Sequence, residues 1–135
     1  MDSTTKLNII KLMREMNNQT LEYGKLDCNL MVLKMFEPEK HDELVGRYKT
    51  VVGGARVANK VFGYNRIDDY MEENPSYIRV DPNHVQFGDI IFSDHDRVSM
   101  VALSTNSAFA INPNTNKFME CAISIPESYR IFRRI

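Results

Sequence analysis

Apolar residues recur at helical spacing through the first half of the chain. Leu7, Ile10, Met13 and Met16 share one face of a segment that opens after Ser3 and stops at Asn17-Asn18. This predicts an amphipathic helix with Ser3 as its cap. A second helix is expected over 28–36, with Asp27 as its N-cap and Pro38 beyond its end. Asp42 is placed as the cap of a short third helix leading towards Tyr48. Gly53-Gly54 precede a helix over 55–62, where Ala55, Ala58, Val61 and Phe62 share a face and Gly63 suits the C-terminal turn. A short polar helix over 67–74 closes at Asn74-Pro75.

From Tyr77 onward the period drops to two. Residues 77–80, 89–93, 98–103, 107–112 and 117–124 read as strands, and 130–135 fits a further one. Asp, Asn and Pro fill the joins, at 81–83, 94–96, 105–106 and 112–116. Their short, even spacing predicts an antiparallel meander. The expected class is α+β: one domain over 1–135, with a helical N-terminal half packed on an antiparallel sheet of about five strands.

A chain of 135 residues suits one domain and a core that needs no disulfide or metal staple. Seventeen basic against eighteen acidic residues give a net charge of -1, without the basic excess of a non-specific nucleic-acid binder. The first ten residues do not pattern as a signal peptide, and no apolar run reaches the length of a membrane span. Cys28 and Cys121 form no CxxC pair, so free thiols in a reducing compartment are expected. The scattered His41, His84 and His95 predict neither a metal site nor a cofactor.

The segment with the most chemistry is Tyr23 to Cys28. A thiol at a helix start sits beside free N–H groups and the positive end of the helix dipole, which favour thiolate. The Asp27 charge opposes them, so the sign of the net effect is open at this level. Taken alone, such a cysteine is more often a small buried residue than a nucleophile. Gly88-Asp89 turns the chain into the apolar run Ile90-Ile91-Phe92, and 97–103 forms a hydrophobic strand after it. His84 reads as a surface residue, Cys121 as a core residue, and Asp68-Asp69 with Glu72-Glu73 as a solvated acidic face. Gly53-Gly54 lacks the lysine and hydroxyl of a phosphate loop.

Taken in order, Asp27-Cys28, Gly88-Asp89 with its strand, and 97–103 resemble the NlpC-type, papain-fold cysteine peptidases. A closer likeness is to short phage proteins that share three stretches. In this chain these are Tyr23 to Cys28, Gly46-Arg47-Tyr48-Lys49-Thr50 with Gly54-Ala55-Arg56, and Gly88 to Phe92. The resemblance implies a papain-like fold with Cys28 in the nucleophile position and a histidine opening the hairpin strand. Arg97 stands where that histidine belongs, and arginine cannot serve as a general base. If the site were active, Cys28, His95 and Asn112 would be nucleophile, base and orienter. Arg97 is instead expected opposite Cys28, paired with Asp27 or Asp89.

The function implied by the resemblance is a degenerate peptidase domain reused as a structural component of a bacteriophage tail tip. Such a protein would be made in the host cytoplasm and carried in the virion, as three or six copies around the tail axis against larger tail-tip proteins. The expected contact residues are Arg47, Tyr48, Arg56, Arg130, Arg133 and Arg134, of types enriched at interfaces. One rival is an active cysteine hydrolase that cuts peptidoglycan stem peptides. Another is a phage protein that binds a host enzyme.

Overall fold

The computed structural model describes residues 1–94 and 98–135. The expectations placed on His95 and Arg97 lie outside the described residues. The helices are α1 (Ser3–Met16), α2 (Cys28–Phe36), α3 (Pro38–Leu44), α4 (Val51–Phe62) and α5 (Ile67–Glu73). The strands are β1 (Tyr77–Arg79), β2 (Ile90–Phe92), β3 (Ser99–Ala102), β4 (Ser107–Asn112), β5 (Lys117–Ala122) and β6 (Arg130–Arg134). The fold is therefore α+β, with a helical N-terminal half on an antiparallel sheet. None of the helices is long and apolar enough to cross a membrane, among the described residues.

The sheet has six strands in the order β1-β6-β2-β3-β4-β5. The expected meander holds from β2 to β5. It fails at the other edge, where β6 inserts between β1 and β2 and pairs antiparallel with both. Chain spacing reports which strands are consecutive, whereas sheet order depends on which strand must be covered on both faces. Ile131 and Phe132 of β6 are essentially fully buried, which suits an inner position.

The sheet packs against a core of helical side chains. Leu30, Met31, Val32 and Leu33 of α2 are all at most 1% exposed, so the middle of this helix is buried, while Asn29 and Lys34 near its two ends stay exposed. Ile9, Leu12, Met13 and Met16 of α1 join it over Ile90, Phe92, Val101, Phe109, Phe118 and Phe132. The opposite sheet face, with Ile91, Met100, Ala102, Ala108 and Ala110, is closed by Val80, Ile123, Ile125 and Tyr129 from connecting segments.

Three helix starts differ from expectation. Asp2, not Ser3, caps α1, its carboxylate accepting from the Thr5 N–H at 2.7 Å. Asp42 lies inside α3, which begins at Pro38, because proline fits the first helical turn, where its missing N–H costs nothing. α4 begins two residues before Gly53, with Thr50 as the cap, so both glycines lie in its first turn.

Candidate functional site

The site is built around the residue before the cysteine. Asp27 is buried at the start of α2, and both of its carboxylate oxygens are occupied. One accepts from the Leu30 N–H at 2.8 Å, which is the helix cap. The other accepts from the Gly24 N–H at 3.0 Å and from the Tyr48 hydroxyl at 2.6 Å.

Tyr48 reaches Asp27 because two glycines make room for it. Gly24 has φ +84, and a Cβ there would lie 1.7 Å from the Tyr48 carbonyl oxygen. On the other side the Tyr48 ring lies under the first turn of α4, where a Cβ on Gly54 would come within 3.0 Å of it. Gly24, Asp27, Tyr48, Thr50 and Gly54 thus form one cluster. Two of the three stretches that carried the resemblance are the two sides of a single contact. Tyr48, expected at an interface, is half-buried here as a structural donor. Burial, first, and then the Asp27 charge and hydrogen bond push its phenol far above the ordinary range.

Cys28 follows at the first position of α2 and is partly exposed. Burial raises its thiol above an ordinary 9.0. Hydrogen bonds from Ser99 and the Asn29 N–H act the other way, and the Asp27 charge adds to the rise. The net direction is upward, towards the thiol. Helix-start donors are present, but desolvation outweighs them. Ser99, on β3, is the described sheet residue that meets Cys28, and its hydroxyl also donates to Asn29 Oδ1 at 3.0 Å. Neither Ser99 nor Asn29 stood out in the sequence, since a polar residue within an apolar strand carries no signal of what it faces.

Cys28 opens into a cleft of about 390 Å³ between α4 and the sheet. Val51, Ala55 and Ala58 line the α4 side; Phe92, Val98 and Ile111 line the sheet side. His41 and His84 are not among its lining residues. The His41 ring lies 3.0 Å from Asp42, and His84 is exposed on the 3-10 turn Pro82–His84. Asn112 is engaged in its own turn, accepting from the Asn114 N–H at 2.8 Å with its amide nitrogen 3.3 Å from the Met119 sulfur. It is not among the lining residues of the cleft, although Ile111 and Pro113 on either side of it are. No group of three metal-ligating side chains occurs among the described residues.

The acidic face expected on α5 is in part a buried ion pair. Asp68 is 2% exposed. Arg66 grips it with two hydrogen bonds at 2.9 and 2.6 Å, and Arg130 reaches it at 3.1 Å and Asp69 at 2.8 Å. Burial pushes the Asp68 carboxyl up, but the two arginines outweigh it and hold it below an ordinary 3.8.

The other C-terminal arginines also turn inward. Arg133 makes a two-point contact with the buried Asp89, both bonds at 2.8 Å, which is the role expected of Arg97. Gly88, at φ +88, makes the turn that aims Asp89 at Arg133. Arg134 donates to Glu37 at 2.8 Å and to the Phe36 carbonyl at 2.9 Å. The C-terminal basic cluster thus holds β6 in place, while Arg47 and Arg56 remain exposed.

Residues 3–131 match the family model described as a domain of unknown function, DUF6950, and the chain belongs to that family. No curated protein matches it.

Proposed function

We propose that this protein is a non-catalytic, NlpC-like domain that works through contacts, as a structural component of a bacteriophage tail tip. The observation that carries the non-catalytic half is the setting of Cys28, whose thiol is pushed up by burial and by the Asp27 charge. Cys28 sits beside an aspartate whose two oxygens are already committed to Leu30, Gly24 and Tyr48. A cysteine nucleophile acts as thiolate and needs a partner that lowers its pKa. Here burial and the Asp27 charge work in the opposite direction. The placement in a tail rests on the sequence resemblance and is an argument by analogy.

Arg130, Arg133 and Arg134 are held in ion pairs within the fold, so Arg47 and Arg56 are the more exposed of the expected contact residues. We place the tail interface there, repeated in three or six copies around the tail axis. Mass spectrometry of purified virions tests the assignment. The protein should be present, and Arg47→Glu with Arg56→Glu should remove it from assembled tails. Virions that lack it would overturn this reading in favour of a protein that binds a host enzyme.

The second reading, a cysteine hydrolase acting on peptidoglycan stem peptides, is favoured by one feature: the thiol lies at a helix start and opens into a cleft of about 390 Å³. Clearing of a peptidoglycan overlay by the native protein, lost in Cys28→Ser, would establish it and end the non-catalytic proposal.

A further inference from the structure

We infer that the cleft between α4 and the sheet is a binding site for a largely apolar, non-anionic small molecule carrying one or two hydrogen-bonding groups. Its volume, about 390 Å³, is within the range of small-ligand pockets. The inference goes beyond the tail reading and does not depend on it.

The class of ligand follows from charge. Three described ionic groups line the cleft, Asp27, Arg66 and Asp68. Asp27 keeps its negative charge, because its three donors are neutral groups, whereas Arg66 and Asp68 neutralise each other through two hydrogen bonds while Arg130 also holds Asp68. An anionic ligand would be desolvated beside the Asp27 charge, which is costly. A neutral ligand meets no such penalty. Asn65 and Asn116 contribute uncharged amides to the lining, suited to a carbonyl or hydroxyl on the ligand. Apart from Cys28, Asn29 and Gly54, the rest of the described wall is aliphatic or aromatic.

The entrance is consistent with that chemistry. Val51 is 65% exposed and Tyr23 44% exposed, and both lie on the cleft. Two apolar side chains at the mouth leave water on binding, which favours an apolar guest. α4 forms one wall with Ala58 as its buried residue, so small side chains, and not bulky ones, set the width of the site.

The test uses the full chain and the neutral fluorophore N-phenyl-1-naphthylamine. It should bind saturably at one site per chain and slow iodoacetamide alkylation of Cys28, followed by mass spectrometry, without slowing that of Cys121. Ala55→Phe, which fills the cleft from α4, should abolish both effects. Val52→Phe, on the exposed side of the same helix, should leave both unchanged. If Ala55→Phe does not fold by circular dichroism, Val51→Asp substitutes for it. An acid at a helix start is tolerated, and its charge at the mouth should weaken binding by about tenfold or more. Absence of saturable binding to the native chain would overturn the inference. So would binding that survives both cleft variants, or a native dimer whose dissociation is needed before the fluorophore enters.

Discussion

Replacing Tyr48 with Phe removes one hydroxyl and leaves the ring between Gly24 and Gly54. The lost bond, 2.6 Å to a buried carboxylate, is of the charge-assisted kind. Such bonds contribute about 1.5–3 kcal/mol, and Asp27 keeps two N–H donors, so a loss of about 2 kcal/mol is expected. Unfolding entropy near 2.1 cal/mol/K per residue makes that about 7 °C in Tm for a chain this size. Asp27→Ala should cost about 4 kcal/mol: roughly 1 for the helix cap, the rest for burying the Gly24 N–H and Tyr48 hydroxyl without an acceptor. The decisive measurement is the double-mutant cycle, by urea unfolding followed by circular dichroism. In the Asp27→Ala background, Tyr48→Phe removes an unsatisfied hydroxyl and should cost nothing or stabilise slightly. If Tyr48→Phe costs the same in both backgrounds, the two residues are not coupled and the cluster does not act as one unit.

Gly24→Ala and Gly46→Ala both force a left-handed backbone on alanine, but a Cβ meets the Tyr48 carbonyl only at Gly24. Gly46→Ala should cost about 1 kcal/mol and Gly24→Ala several times more, read from urea midpoints. Arg133→Ala leaves the buried Asp89 carboxylate without its ion-pair partner, with the Gln86 N–H still donating to it, and should cost about 3 kcal/mol in the same assay. Stability should also fall at alkaline pH. The Cys28, Tyr48 and Tyr77 values are all raised in the folded state, so their contribution is full below the unfolded values of about 9 to 10. It declines as pH rises from there towards the folded values, and Tyr48→Phe should flatten the decline in a pH series of thermal melts. At the acid end Asp68 is depressed, so its contribution is full above an unfolded value near 4 and is lost as pH falls through the folded value. Asp68→Asn should lessen that acid loss.

Local patterning determined most of the elements. The helical period placed α2 and α5, short apolar runs bounded by turn residues placed the inner strands, and Asp27 and Gly63 were readable as helix ends because capping involves only neighbours in sequence. The α+β class followed from the change of period near Tyr77. Three matters required the tertiary structure, because each joins residues far apart in the chain. The first is strand order: β6 enters beside β2 because the fold covers Ile131 and Phe132 on both faces, which spacing alone does not encode. The second is the fate of the charges. In sequence Asp68 reads as solvated, Asp89 as one of two candidate partners of Arg97, and Arg130 and Arg133 as interface residues, yet long-range pairing buries both acids against these two arginines. The third is the state of Cys28. The sequence supplies a helix start that favours thiolate and an aspartate that opposes it. Only the folded chain, by desolvating the sulfur against the sheet at Ser99, decides the balance for the thiol.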